Sequence, residues 1–264
     1  MGQVPVNKNS FSFTPSYGII GDGRMAQHMA HYFRLREIPF KLWSRKLSQV
    51  SPHEELFEQD ILLVLLRDSA IENFIEQNPE LQKKTLIHFS GSLVAEKAYG
   101  MHPLMTFGNE LYDLETYERI PFVLEKGRQN FSEYQFQQLF PRLKNPHFEI
   151  LASQKPLYHA LCVMGQNFTN LLWQKFFKSM NAEFLLPEEA LKPILEQTFI
   201  NLLKDPYKNL TGPIARGDTK TIKANLEALR DDPYYDVYEA FLAAWTKEQK
   251  KSPPTYVFQK EISQ

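Results

Sequence analysis

The chain has 264 residues, enough to bury one large or two modest hydrophobic cores. Hydrophobic residues make up 43% of it and charged residues 23%, as in ordinary globular proteins, and 30 basic against 31 acidic side chains argue against a nucleic-acid-binding chain. The single cysteine, Cys162, excludes an internal disulfide bond and favours a reducing compartment.

The first 15 residues are polar and lack the apolar stretch of a secretory signal peptide, so we interpret residues 1–15 as a short leader. No window of the sequence approaches the apolar length that a membrane span needs. We therefore expect a cytoplasmic protein with no membrane partner and no nucleic-acid partner.

Residues 16–46 predict a strand, a glycine turn, a helix and a second strand, which is the first βαβ unit of a dinucleotide-binding sheet. Gly21 can adopt the backbone of a tight turn, Gly23 lets the main chain approach a pyrophosphate, and Ala26 allows close helix packing. Free N–H groups at the start of the helix would hold the phosphates. The candidate cofactor-binding residues of this turn are Gly21, Gly23, Arg24, Met25 and Ala26. A plain glycine turn is the alternative, and Asp22 brings a negative charge into the same turn.

The end of the second strand predicts which nicotinamide cofactor binds. NAD-dependent enzymes usually place Asp or Glu about 20 residues after the glycines, where the carboxylate holds the ribose 2′-hydroxyl. This chain has Ser44, Arg45 and Lys46 there, and two cations with a hydroxyl suit the 2′-phosphate of NADP. We therefore predict NADP, with a solvated basic turn as the alternative.

Two further apolar runs, residues 60–66 and 85–89, predict strands that are covered on both faces. The loops after such strands lie at the carboxyl edge of a doubly wound sheet, beside the cofactor. The candidates in these loops are Leu66, Arg67, Ser90 and Gly91 for cofactor binding and Ser92 for substrate binding.

A predicted loop over residues 100–108 carries His102, another candidate for substrate binding. Residues 121–124 and 148–151 predict two more strands, with a helix at about residues 130–140 between them. These elements complete an α/β layer of about six strands.

The pattern changes at about Ser153, after which only helical spacing is found. We therefore predict an N-terminal Rossmann domain with a doubly wound parallel sheet over residues 16–152 and an all-helical domain over residues 153–264, with the active cleft between them. The helices are predicted at about residues 155–180, 185–205, 219–229 and 234–250.

On the first of these helices, His159, Gln166 and Asn170 share one stripe, and Asn167 lies about 80° away. Such a stripe could face a ligand or could be hydrogen-bonded structure. His28 and His31 also share a helix face, but no further ligand with supporting spacing follows, and we predict no metal site.

A glycine-bearing turn over residues 210–218 contains a second group of candidates. Arg216 could clamp a carboxylate or phosphate, while Asp218 orients it or caps the helix that begins at Thr219. The alternative is a helical corner held by an internal ion pair. The substrate-binding candidates in this turn are Thr211, Gly212, Arg216 and Asp218.

Several of these motifs together resemble one protein family over residues 17–229. They are Tyr158-His159 with Asn167 eight positions after the histidine, Thr211-Gly212-Pro213 with Arg216-Gly217-Asp218, Ser90-Gly91-Ser92, and His102-Pro103 with Phe107. The family comprises little-characterised two-domain Rossmann oxidoreductases whose C-terminal half is a domain of unknown function. Its relatives are ketopantoate reductase, pyrroline-5-carboxylate reductase and the 6-phosphogluconate and hydroxyisobutyrate dehydrogenases.

The resemblance implies an NADP-binding domain, a helical C-terminal domain like that of 6-phosphogluconate dehydrogenase that commonly forms homodimers, and a cleft lined by His102, His159, Asn167 and Arg216. One departure stands out. The dehydrogenase relatives carry a lysine four positions before the asparagine, where this chain has Val163.

These observations predict an NADP-dependent oxidoreductase that transfers hydride between nicotinamide and a small polar carbonyl or imine compound. His159 would act as the acid/base, Asn167 would polarise the reacting double bond, and Arg216 would hold the substrate. The missing lysine favours a rival, a non-catalytic NADP-binding sensor or scaffold. A weaker alternative is a dimeric interaction protein that has lost the nucleotide.

Overall fold

The structure is a computed structural model that describes residues 15–127 and 136–250. Residues 1–14 of the expected leader and the expected tail with Pro253 and Pro254 lie outside this range. Contacts divide the chain into two compact units between Lys175 and Phe176. Within the described ranges, no helix has both the length and the apolar character that crossing a bilayer requires.

The first unit is built on a seven-stranded sheet in the order β2-β1-β3-β4-β5-β6-β7. The strands are β1 (Tyr17–Ile20), β2 (Phe40–Trp43), β3 (Ile61–Val64), β4 (Thr85–His88), β5 (Tyr99–Pro103), β6 (Phe122–Lys126) and β7 (His147–Leu151). All neighbouring pairs are parallel except β5 and β6, which are antiparallel. The chain moves outward from β1 to β2 and then to β3 on the opposite side, so the strand order reverses at β1.

The prediction of about six strands omits β5, because most of this strand falls in the predicted loop over residues 100–108. Gly100, His102 and Pro103 give this segment no apolar alternation. Its strand conformation comes from its neighbours: Tyr99 pairs with Ile87 of β4, and Met101 pairs with Leu124 of β6.

Helices cover both faces of the sheet. They are α1 (Arg24–Leu35), α2 (Pro52–Glu55), α3 (Asp68–Gln77), α4 (Leu114–Glu118), α5 (Phe136–Leu139) and α6 (Lys155–Cys162), with 3₁₀ turns at Pro79–Lys83 and Ala152–Gln154. Successive strand residues point to opposite faces, so Ile19 and Leu63 join one buried cluster while Ile20 and Val64 join the other. Of the predicted helix over residues 130–140, the part over residues 130–135 lies outside the described residues.

After α6 the chain continues as a π-helical segment, Val163–Phe168, and the elements that follow it up to residue 250 are all helices. These are α7 (Thr169–Phe184), α8 (Glu188–Lys204), α9 (Gly212–Arg216), α10 (Thr219–Ala228) and α11 (Tyr235–Gln249). The division between the units falls inside α7, later than the predicted boundary at residue 152. The predicted and observed boundaries differ because α6, which has a helical sequence pattern, contacts strands β5 and β6 of the first unit.

Candidate functional site

The glycine turn between β1 and α1 lies at the carboxyl edge of the sheet. Gly21 has φ +133°, and a Cβ there would lie 2.5 Å from the carbonyl oxygen of Leu65, so only glycine fits. Gly23 is the N-cap of α1 and has no side chain to accept from the first N–H groups of the helix, while a Cβ there would meet nothing within 4 Å. The turn therefore combines uncapped N–H groups with open space, which is what a phosphate site requires.

The side chains around this turn have structural partners. Ala26, in the first turn of α1, is fully buried, and the Arg24 guanidinium donates to the carbonyl oxygen of Phe107 at 3.3 Å. Asp22 forms an ion pair with Lys46 at 3.4 Å. The negative charge that looked unfavourable beside a phosphate is thus partly balanced by a cation from the end of β2.

The ion pair between Asp22 and Lys46 also bears on which residue of the basic turn could bind a 2′-phosphate. Ser44 is buried, and its Oγ accepts from the N–H of Leu47 at 3.3 Å, so it holds the turn. Lys46 faces Asp22, whereas Arg45 is exposed and makes no ion pair within the part of the chain that the structure describes. Arg45 is therefore the cation with the most freedom to meet a 2′-phosphate.

The Ser90–Ser92 loop after β4 is held by the carboxylate of Asp68 at the start of α3. Ser90 Oγ donates to Asp68 Oδ2 at 2.6 Å, Ser92 Oγ donates to the same oxygen at 3.3 Å, and Ser90 Oγ accepts from the N–H of Leu93 at 2.9 Å. Gly91 lies between the two serines and is buried. Leu66 is half-buried and Arg67 is exposed at the N-cap of α3.

Two imidazole rings meet at Gly91. A Cβ on Gly91 would lie 2.5 Å from His159 Nδ1 and 3.2 Å from both Cδ2 and Nε2 of His102. The ring centroids of the two histidines are 6.0 Å apart. His159 Nδ1 is buried and has no hydrogen-bond partner among the described residues. Glycine at position 91 therefore creates the room in which β4, β5 and α6 bring two ring nitrogens together.

His102 is held in place by Tyr158 and is uncharged near neutral pH. Its Nδ1 lies 2.7 Å from the Tyr158 hydroxyl. Burial lowers the pKa of His102 to about 4, with further lowering by His159 and Lys155, against a raising effect of Asp68. As the pH falls from about 6.5 to 4, the unfolded chain takes up a proton at His102 that the folded protein does not bind. The free energy of unfolding therefore decreases over this range.

A buried ion pair supports the start of α6. Lys155, which is 3% exposed, places Nζ 2.8 Å from Glu125 Oε2 of β6. A Cβ on Gly100 would lie 2.6 Å from the same Glu125 oxygen and closer still to the Lys155 ammonium, so glycine in β5 makes room for the pair. The pair joins β6 to the helix that carries Tyr158 and His159.

The remaining candidates on the long predicted helix are arranged differently from the prediction. The stripe of His159, Gln166 and Asn170 assumed an uninterrupted α-helix, but the π-helical segment changes the angle between residues before and after it. Gln166 Nε2 donates to Thr106 Oγ1 at 3.2 Å, and Asn167 and Asn170 are exposed. The catalytic role of Asn167 stays a prediction.

In the second unit, the turn over residues 210–218 forms the short helix α9 between two glycines with positive φ, Gly212 (82°) and Gly217 (65°). Thr211 is the N-cap of α9, and Arg216 ends it. Asp218 caps α10, accepting from the N–H of Thr221 at 3.1 Å and from its hydroxyl at 2.7 Å. These bonds lower the pKa of Asp218, with a smaller contribution from Arg216. Capping is thus one role of Asp218, and substrate binding by this turn stays a prediction.

Sequence reasoning gave Tyr158 and Lys155 no role in the site, and it left Asp68 between a site candidate and a helix cap. Lys155 and His159 are four positions apart, so they share one helix face, and this spacing could have pointed to the lysine. Asp68 could not be distinguished from a helix-capping residue by its position alone. Within the described ranges, no group of three or more His, Cys, Asp or Glu side chains is placed to hold a metal ion.

Comparison with known proteins adds a match to a domain over part of the chain and a similarity in fold. Residues 120–244 match DUF2520, a domain of unknown function. This DUF2520 region runs from the end of the first unit into the second and agrees with the predicted C-terminal domain of unknown function. A search of the curated proteins finds no match.

Nearly nine-tenths of the chain, 88–90%, is similar in fold to several solved structures. One is a Bacteroides fragilis protein provisionally described as an NADP oxidoreductase, with 19% sequence identity, coverage of 88% of this chain and 98% of that chain, and a TM-score of 0.67. A Streptomyces aurantiacus imine reductase has 15% identity, coverage of 88% of this chain and 93% of that chain, and a TM-score of 0.59. A Plasmodium falciparum pyrroline carboxylate reductase with NADP bound has 15% identity, coverage of 90% of this chain and 98% of that chain, and a TM-score of 0.56. The predicted Rossmann-type α/β fold with a helical C-terminal region is confirmed.

Proposed function

We propose that this protein is an NADP-dependent oxidoreductase that transfers hydride between nicotinamide and a small polar carbonyl or imine compound. The observation that carries the proposal is the meeting of His102 and His159 at Gly91, on the sheet that also bears the uncapped glycine turn. Ligands of doubly wound sheets bind outside the carboxyl ends of the strands, where the strand order reverses. The NADP-binding and imine-reducing proteins of similar fold support the same reading.

The residues at the carboxyl edge fit the cofactor. Gly21 and Gly23 provide the close backbone approach and uncapped N–H groups that a pyrophosphate needs, and Arg45 provides an exposed cation for the 2′-phosphate. NADPH would supply the hydride when bound. His159 would give a proton to the oxygen or nitrogen of the reacting double bond as its carbon takes the hydride, so the C=O or C=N bond becomes C–O–H or C–N–H.

The reaction is tested by following NADPH oxidation against a panel of small keto acids, aldehydes and cyclic imines. Turnover of any member supports the proposal. Tight NADPH binding without turnover over the whole panel would instead favour the non-catalytic sensor or scaffold.

Cofactor selection is tested by measuring the Kd values for NADPH and NADH in the wild type and in Arg45→Ala. Loss of a charge-assisted hydrogen bond to phosphate should raise the Kd for NADPH by about 10- to 100-fold while leaving the weaker binding of NADH unchanged. Lys41→Ala removes an exposed cation of β2 that pairs with Glu58 and should change neither Kd. Equal affinity of the wild type for NADPH and NADH would contradict the assignment.

We further propose that two copies of the chain associate through an apolar stripe that runs along α6, the π-helical segment and α7. Its residues are Leu157, Leu161, Met164, Phe168 and Leu171, which are 49–66% exposed. They lie on successive turns of this helical run, and an exposed apolar stripe of this length is costly in water. A second copy would bury it.

Leu161→Glu should therefore convert a dimer into a monomer, because a carboxylate would be buried at the centre of the stripe. Sedimentation velocity of the wild type should show twice the mass of one chain. Leu111→Glu, at an exposed loop leucine, serves as the control and should remain dimeric. A wild type with the mass of one chain would contradict the proposal.

A further inference from the structure

Tyr158 connects α6 to His102 of β5, and no step assigned above uses it. Its hydroxyl lies 2.7 Å from His102 Nδ1, and the two rings meet edge to face with centroids 5.6 Å apart. It stands next to His159 in the sequence, so the helix that carries the assigned proton donor also carries this hydroxyl. A hydrogen bond to one nitrogen of an imidazole determines which tautomer the ring adopts.

The direction of this hydrogen bond follows from the surroundings of the phenol. Burial raises the pKa of Tyr158, and the nearby Cys162 raises it further, so the hydroxyl keeps its proton across the neutral range. The hydroxyl lies at hydrogen-bond distance from His102 Nδ1, and the Cys162 sulfur is the other acceptor nearby. The imidazole nitrogen is much the stronger acceptor, since a thiol sulfur accepts only weakly. Tyr158 therefore donates to Nδ1.

The other ring nitrogen of His102 faces the centre of the site. Nε2 lies 3.2 Å from the position that a Cβ on Gly91 would occupy, on the side of His159. No described residue hydrogen-bonds to Nε2, whereas Nδ1 is engaged. The charged and titratable groups that act on the ring are His159, Lys155 and Asp68, and with burial their balance keeps it neutral at pH 7.

We propose that Tyr158 is a positioning residue that holds His102 as the neutral Nε2–H tautomer, so that Nε2–H donates to the oxygen or nitrogen of the reacting double bond. The tautomer does not depend on the proposed function, and only its use toward a substrate rests on that function. A neutral imidazole donor stabilises charge that develops on the acceptor atom without giving up its own proton. The two histidines thereby have separate tasks: His102 polarises the double bond and His159 transfers the proton.

The tautomer is measured by two-bond ¹H–¹⁵N spectra of the full-length protein labelled with ¹⁵N-histidine at pH 7, which distinguish protonated from bare ring nitrogens. The resonances of His102 are identified as those missing from His102→Gln. In the wild type we expect a protonated Nε2 and a bare Nδ1. In Tyr158→Phe we expect a mixture of both neutral tautomers, because Nδ1 has lost its donor.

Tyr17→Phe is the matched control, since it removes another buried hydroxyl, which donates to the carbonyl oxygen of Leu139 at 2.7 Å. It should leave the His102 resonances unchanged. A wild-type His102 that carries its proton on Nδ1, or an unchanged tautomer in Tyr158→Phe, would overturn the proposal. An equal change in Tyr17→Phe would also overturn it, because the effect would then be one of general loosening.

Kinetic measurements test whether the Nε2–H group of His102 donates to the substrate. With any substrate found in the panel, Tyr158→Phe should lower kcat by about 10- to 100-fold with the Kd for NADPH unchanged, because the donor is misdirected while the cofactor site is intact. An unchanged kcat, or a loss confined to KM, would overturn the role toward substrate. Absence of turnover in every variant, including the wild type, would contradict the proposed function and leave the tautomer result standing by itself.

Discussion

Gly91→Ala is expected to lower kcat/KM by about 100-fold or more, because it displaces the imidazoles on which the proposed reaction depends. The added methyl group would lie 2.5 Å from His159 Nδ1, a separation that the structure must relieve by moving the ring. It would also press on two atoms of the His102 ring at 3.2 Å. The measurement is steady-state kinetics with the best substrate of the NADPH panel.

A double-mutant comparison separates this effect from general damage. His159→Ala alone should lose about 10²- to 10⁴-fold if it removes the proton donor. Gly91→Ala in the His159→Ala background should cost little more, because the clashing ring is gone and the two changes are coupled. Gly165→Ala, where a Cβ meets nothing within 4 Å, is the control for an added methyl group. Wild-type kcat/KM in Gly91→Ala, or full additivity with His159→Ala, would contradict this account of the site.

Lys155→Met should reduce the free energy of unfolding by about 3–5 kcal/mol, since it removes the ammonium group that is paired with the buried Glu125 carboxylate. Methionine keeps most of the volume, so the loss reports the charge rather than a cavity. Lys126→Met is a close match at the surface: Lys126 pairs with Glu149 at 2.9 Å, and its side chain is 43% exposed. This exposed pair should contribute less than about 1 kcal/mol. Urea unfolding followed by tryptophan fluorescence measures both.

Replacing both members of the buried pair provides the decisive comparison. Lys155→Met with Glu125→Leu should recover most of the lost stability, because an apolar pair needs no compensating charge in the interior. If the double variant is as unstable as Lys155→Met alone, the loss comes from packing, and the ion pair is not what stabilises the start of α6.

The first βαβ unit could be predicted because its signals are local. An apolar run of strand length, Gly21 and Gly23 in the turn, and an amphipathic helix with Ala26 inward all lie within a few residues of one another. The seven-stranded count could not be predicted, because β5 owes its conformation to pairing with β4 and β6 rather than to its own residues. Local pattern therefore identified β1 to β4 and missed one strand, β5, of the remaining sheet.

The candidate site divides in the same way. His102, His159 and Gly91 were all predicted, each for a separate reason, and the structure adds that they meet at one point. Their meeting depends on contacts between residues far apart in the sequence, such as Lys155 with Glu125 and Tyr158 with His102, which no spacing rule contains. The sequence likewise contains the opposite charges of Asp22 and Lys46, but only the structure shows that they lie close enough to pair.

The π-helical segment Val163–Phe168 has an evolutionary consequence. A π-turn accommodates one residue more than an α-helical turn, and each residue of an α-helix rotates the next by about 100°. Deleting a single codon within this segment would restore a regular α-helix, and because the wider turn absorbs the extra residue, the later side chains of the helix would keep nearly the same azimuth. A lineage could thus gain or lose this residue in one genetic step without re-aiming Tyr158, His159 or the surface that follows them.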